Sequence, residues 1–256
     1  MNIECELDVP DTWFEGHFPG NPILPGVAQL ALAVDALSRE SDAGLALTGI
    51  PFVRLRQLVR PGDRLRLVAE PRSSATWRIA ITSAGKTVTN GELRFGPPGT
   101  PPPATPDWPT LADAPPVAML LPHRPPMRFV THALAESAEG LRGAARIPGN
   151  CPLVSHGVAP VLAAIEAAAQ ISALWEATRR LRAGPGTGPR LGYLVGLREV
   201  TLLARHIPAD TTFVATATLK ALSLPLAHYA IEADLDGACI LRGTLSAFLT
   251  DSASPL

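Results

Sequence analysis

The chain is poor in charge and in aromatic residues: charged side chains make up 18% of its 256 residues and Phe, Trp and Tyr 5%. Its 22 basic and 23 acidic residues nearly cancel, leaving a formal net charge of -1 at pH 7. With no excess of positive charge and with its arginines scattered, it has no electrostatic footprint for nucleic acid. Cysteine is scarce too. Cys5, Cys151 and Cys239 are odd in number and far apart, which argues against a disulfide framework and against paired zinc spacing, and fits reduced thiols in a cytoplasmic protein. Long apolar runs are also missing. The most apolar stretch, Pro160–Trp175, is interrupted by Glu166 and Gln170, and the N-terminal MNIECELDVPD is acidic with no apolar core. The sequence therefore predicts neither a signal peptide nor a membrane span. It contains no serine-hydrolase elbow and no zinc-helix motif. The glycines of TRRLRAGPGTGPR (Thr178–Arg190) do not fit a dinucleotide fingerprint, so this stretch reads as a helix end and a flexible loop.

What the chain has in quantity is apolar residues, 46%, and proline, 27 residues. That is enough to bury one large core or two smaller ones. Many prolines fall in GPPGTPPPATPDWPTLADAPP (Gly96–Pro116), where the loss of backbone donors favours an extended strap. In polyproline geometry such a strap spans about 60 Å, enough to cross a domain surface. The expected division is residues 1–96, a linker at 97–115, and residues 116–256.

The two halves align with each other. Pro25 and Pro160 each precede an apolar segment of helical period, Val27, Leu30, Val34 and Leu37 in one and Val161, Ile165, Ala168, Ala169 and Ser172 in the other. Downstream, Gly49 registers with Gly196, Val53 with Val200, and Pro61 and Asp63 with Pro208 and Asp210. The last segments share a turn glycine (Gly85, Gly237) and a strand glycine (Gly91, Gly243). Each half is predicted to be a helix followed by antiparallel strands. The loop before the first helix carries His17, but that helix presents no matching carboxylate; the second helix carries Glu166, but its loop has no matching histidine. If the copies pack together, two incomplete halves make one acid/base site.

GHFPGNPILPGVAQL closely resembles the signature of the hotdog-fold 3-hydroxyacyl-[acyl-carrier-protein] dehydratases, and RPGDRL fits a strand turn of that family. LLPHRPPMRFV from Leu120 is similar to the family's N-terminal segment, and AAIEAAAQISA to its central helix around the acid. The combination looks most like the dehydratase components of bacterial aryl-polyene and related type II polyketide pathways, here fused. The resemblance implies an α+β double hotdog, two antiparallel sheets each wrapped around a long helix and paired as a pseudo-dimer. It also implies an active site at the pairing surface, with histidine from one unit and acid from the other. At the family's spacing, the acid matching His17 would be Ala31 and the histidine matching Glu166 would be Pro152. One composite site is complete and its twin has neither group.

The implied activity is dehydration of a 3-hydroxyacyl thioester carried on the phosphopantetheine arm of an acyl carrier protein. His17 is expected as base and Glu166, its pKa raised by burial, as acid. The Gly26 N–H at a helix N-terminus would polarise the carbonyl, with Pro25 and Phe18 beside it as substrate-binding residues. Elimination of water needs only proton transfer, so no cofactor or metal is expected. Arg54, Arg56, Arg60, Arg64 and Arg66 are candidates for a basic rim facing an acidic carrier. Asp35 could be a displaced acid for the twin site, although a solvated role is the simpler reading. His156 does not align, and His123 reads as structural. Other synthase subunits are possible partners, and fusion allows a monomer as well as a larger assembly. Two other readings stay open on sequence alone: a hotdog thioesterase, and a non-catalytic acyl-binding partner of such enzymes.

Overall fold

The computed structural model describes residues 2–40, 46–103, 108–111, 113–114, 116–184 and 190–251. The N-terminal half comprises β1 (Ile3–Leu7), α1 (Gly26–Glu40), β2 (Ala46–Leu55), β3 (Leu65–Pro71), β4 (Thr76–Ser83) and β5 (Lys86–Gly96). The C-terminal half starts with α2 (Val117–Leu120), β6 (Val130–Ser137), β7 (Gly140–Arg146) and β8 (Val158–Pro160). It continues with α3 (Ala164–Arg182), β9 (Arg190–Leu202), β10 (His206–Pro208), β11 (Thr212–Ser223), β12 (Leu226–Leu235) and β13 (Ala238–Asp251).

Eleven strands make one continuous antiparallel sheet in the order β1-β3-β4-β5-β2-β9-β13-β12-β11-β7-β6. The halves join where β2 pairs with β9, Gly49 opposite Thr201, Val53 opposite Leu197 and Arg54 opposite Gly196. This register is nearly self-complementary. The glycine of each copy lies at one end of the seam, as a two-fold relation between repeats requires. The architecture is the double hotdog implied by the resemblance.

The helices follow from their sequences. In α1, Val27, Leu30, Ala33 and Leu37 recur at helical spacing and are buried. Val34, expected in the core with them, is only half-buried because it faces a surface cavity. Alanine-rich α3 has high helix propensity and ends in Arg179, Arg180 and Arg182, whose charges suit the negative end of the helix dipole. It packs against β7, β9, β11 and β12, and Trp175 meets Tyr229 edge-on at 6.2 Å. Pro160 is followed by a 3-10 turn, Val161–Ala163, so α3 begins later than the proline suggests. The chain from 185 to 189, which holds most of the glycines of the expected loop, lies outside the described residues.

The repeated glycines have identifiable roles. Gly85 and Gly237 sit in turns at φ 76° and 77°, where a Cβ is strained. A Cβ on Gly91 would come within 2.3 Å of the Phe52 carbonyl oxygen, and one on Gly243 within 2.7 Å of the Val200 Cα. Both are strand crossings too close for any side chain. Described parts of the proline-rich segment lie against the C-terminal half. Cys239 N–H donates to the Pro102 carbonyl (3.0 Å), Pro103 bridges to Ala238, and Leu111 N–H donates to Leu134 (3.0 Å). Among the described residues no helix is long and apolar enough to cross a membrane.

Candidate active site

The loop from Gly16 to Leu24 is set by backbone contacts. Gly16 has φ 77°, and a Cβ there would lie 2.1 Å from the Arg124 carbonyl oxygen. Only glycine fits. Arg124 N–H in turn donates to the Gly16 carbonyl at 2.9 Å. This pair lays the GHF loop directly on the HRPP segment of the other half. Ile23 N–H donates back to the His17 carbonyl (2.9 Å), and the peptide between His17 and Phe18 is cis.

His17 is buried, 7% exposed, with its Nδ1 3.0 Å from the Ile23 carbonyl. A carbonyl can only accept, so Nδ1 carries the proton and Nε2 keeps its lone pair. That Nε2 lies 4.0 Å from Glu166 Oε1. Glu166, 4% exposed, sits in the first turn of α3. Its Oε1 accepts from Gln170 Nε2 at 3.1 Å and lies 3.2 Å from His123 Nε2. Gln170 cannot flip. Its amide nitrogen also donates to the Met127 carbonyl (2.7 Å), while its oxygen accepts from the Phe129 and Val130 N–H groups (2.9 and 3.2 Å).

Burial is the strongest influence on both key groups. It lowers His17 from 6.5 to about 4, only partly offset by the Glu166 charge. In Glu166 burial raises the pKa, but the hydrogen bond from His123, the attraction of His17 and His123 whenever either is protonated, and the Gln170 hydrogen bond together win, holding it near 2. The resting pair is a neutral imidazole and a carboxylate. The sequence-based expectation of a carboxyl raised by burial is thus reversed, because the surrounding donors outweigh desolvation.

His123 is the residue that sequence reasoning missed. It read as structural, yet it is buried at 6% exposure with ring centroids 5.2 Å from His17 and 4.8 Å from Phe18. Its Nδ1 is buried with no hydrogen-bond partner among the described residues, consistent with an Nε2–H tautomer that donates to Glu166. The signal available was the LPHRPP segment itself, in which His123 stands between Pro122 and Arg124.

These three groups face a cleft also lined by Phe18, Gly26, Ala169, Tyr193 and Leu194. Gly26 is the first residue of α1, where backbone N–H groups lack intrahelical acceptors. Pro25 does not line the cleft; its carbonyl accepts from Ala28 and Gln29 (3.0 and 3.2 Å) at the start of the helix. Of the five arginines, Arg56 and Arg60 border the adjoining mouth, which shares Leu55, Leu58 and Tyr193 with the cleft. Arg54, Arg64 and Arg66 line neither, and Arg66 pairs with Glu4 at 2.8 Å.

The twin position also has a cavity. It is lined by Ala31 and Pro152, the counterparts of Glu166 and His17, together with Val34, Asp35 and His156. Asp35 is exposed there and ion-paired with Arg39, and exposed His156 lies 2.9 Å from the Ser155 hydroxyl. The space is duplicated but the acid/base pair is not.

Comparison with known proteins agrees with this geometry. Residues 1–92 match the ApeI-like family (ApeI dehydratase), and residues 115–256 match the ApeP-like family (ApeP dehydratase). The 3-hydroxyacyl-[acyl-carrier-protein] dehydratase FabZ of Acetivibrio thermocellus is 35% identical over 100 residues, 35% of this chain and 68% of that protein. FabZ of Chloroflexus aggregans is 48% identical over 96 residues, covering 33% and 67%. Among solved structures, the dehydratase domain of PpsC from Mycobacterium tuberculosis superposes with a TM-score of 0.71 at 18% identity, over 97% of this chain and 93% of that one. A trans-AT polyketide synthase dehydratase domain from Brevibacillus brevis gives 0.75 at 12% identity, over 98% and 94%. The chain therefore belongs to the hotdog dehydratases, with an ApeI-like half and an ApeP-like half folded together as one double hotdog.

Proposed function

We propose that the chain removes water from 3-hydroxyacyl thioesters carried by an acyl carrier protein in the cytoplasm, giving trans-2-enoyl thioesters in fatty-acid or polyene/polyketide biosynthesis. The observation that carries this reading is the juxtaposition, in one cleft, of an unprotonated His17 Nε2 and the Glu166 carboxyl from opposite halves, 4.0 Å apart.

His17 Nε2 takes the proton next to the thioester carbonyl, and the Gly26 N–H receives the enolate-like charge on the oxygen. As the C–O bond breaks, the leaving hydroxyl takes a proton from the Glu166–His123 pair and departs as water. At rest the pair is a carboxylate beside a neutral imidazole, so it first takes up one proton from solvent, and as a carboxylic acid hydrogen-bonded to His123 it delivers that proton to the leaving hydroxyl. The proton on His17 then returns to Glu166 across the 4.0 Å gap, so the cycle balances without a redox partner, and no cofactor is invoked. Phe18, stacked on His17 at 4.2 Å, would hold the ring plane and border the acyl chain. Arg56 and Arg60 would meet the acidic carrier at the mouth. The functional units of this reading are residues 1–96, the linker 97–115 and residues 116–256.

The test is incubation of the purified chain with a 3-hydroxyacyl carrier protein, followed by mass measurement. Loss of one water is expected. Release of free acid would make the protein a thioesterase, and an unchanged substrate would make it a non-catalytic partner; either result overturns the reading.

A further inference from the structure

We propose that His17, His123 and Glu166 form a latent zinc site whose occupancy turns dehydration off. Only the inhibitory consequence rests on the dehydratase reading; the binding itself rests on the arrangement of ligands.

One ligand atom from each of the three side chains lies within 4.8 Å of the other two, and all three residues are buried. Zinc at about 2.0–2.1 Å from two tetrahedral ligands holds them about 3.3 Å apart. Glu166 Oε1 is already 3.2 Å from His123 Nε2 and 4.0 Å from His17 Nε2. The ion therefore needs His17 Nε2 to close by about 0.7 Å on Glu166 Oε1 and the two imidazoles, within 4.8 Å, to close by up to about 1.5 Å, shifts within reach of side-chain rotation. Two imidazoles and one carboxylate select zinc over magnesium or calcium, which prefer sets made of oxygen ligands.

Two features of the surroundings favour the metal. His17 Nδ1 is held at 3.0 Å by the Ile23 carbonyl, which fixes the Nε2 lone pair toward the other two ligands, as outer hydrogen bonds do in zinc proteins. Gln170 holds Glu166 Oε1 in the same way at 3.1 Å. The cleft supplies the access path and a fourth position for water or a thioester oxygen. One feature opposes it. His123 Nδ1 has no partner among the described residues, and binding through Nε2 moves the ring proton to that buried atom. A missing outer partner weakens zinc affinity by about 10–100-fold, so the site is a reversible one rather than a permanently filled structural centre. Zinc bound here occupies the lone pair that the base needs, and activity falls with occupancy.

Zinc chloride titrated calorimetrically into the full chain without substrate is expected to show one equivalent bound at neutral pH. Cobalt(II) should give the visible bands of a low-coordinate nitrogen/oxygen site. His123→Gln keeps a donor toward Glu166 but is a poor ligand, and should weaken zinc by at least about tenfold; His206→Ala, on an exposed strand, should not. Zinc should inhibit dehydration, and a chelator should restore it. Absence of one-to-one binding, or binding unchanged in His123→Gln and Glu166→Gln, overturns the proposal whether or not the chain dehydrates substrate. Binding as described by a chain that never loses water from its substrate would leave the site standing and sink the enzyme reading instead.

Discussion

At His17 and Glu166 the physics of burial takes opposite courses. His17 has too few compensating partners and stays neutral, whereas Glu166 is surrounded by donors and stays ionised. Both groups bind fewer protons in the folded than in the unfolded state, so stability rises with pH through their titration. His17 contributes between about pH 4 and 6.5, its full share being present above 6.5. Denaturant midpoints should climb over that window, and His17→Gln should flatten the climb. Removing His123 takes away the largest influence opposing burial, so in His123→Ala the Glu166 carboxyl should titrate at higher pH than in the parent, as read by carbon-13 NMR; an unmoved titration would show that His123 does not hold the carboxylate. For turnover, His17→Ala and Glu166→Gln should each lower kcat/KM by about 10²–10⁴. The double variant should be little worse than either single change, because one unit is broken only once.

At the scale of elements, the site depends on pieces that contact no substrate. Gln170, one turn beyond Glu166 on α3, ties the helix to the Met127–Val130 segment through three backbone groups. Gln170→Leu leaves those groups buried and unpaired at a cost of about 1–3 kcal/mol each where water cannot replace the bonds. The expected result is a large fall in the unfolding midpoint together with lost activity. Gly16→Ala places a methyl on the Arg124 carbonyl and should separate His17 from His123; kcat should fall more than the folded fraction measured by circular dichroism. The helices themselves were legible in the sequence because their apolar residues recur at the helical period. The start of α3 was not, because a 3-10 turn and an α-helix begin from the same proline-led pattern.

At the scale of the molecule, the β2–β9 seam makes one sheet of two repeats and places the first half's histidine over the second half's helix. Residues 1–96 and 116–256 expressed separately should each fail to dehydrate, since neither holds both His17 and Glu166; co-expressed halves that pair should recover activity. Activity in either fragment alone would show that the site is not composite.

The sequence by itself determined the repeat, the two long helices, the turn and strand glycines and the pairing of His17 with Glu166 as candidates, because periodicity, turn chemistry and a well-matched loop motif are local properties of the chain. Only the tertiary structure decided that His123 joins them, that Pro25 does not line the cleft, that two of five arginines border the adjoining cavity, and that Glu166 is ionised. Those outcomes depend on which groups from distant segments meet in a buried space. The balance between desolvation and hydrogen bonding there is set by neighbours about forty and a hundred and fifty positions away in the chain, and no local pattern encodes it.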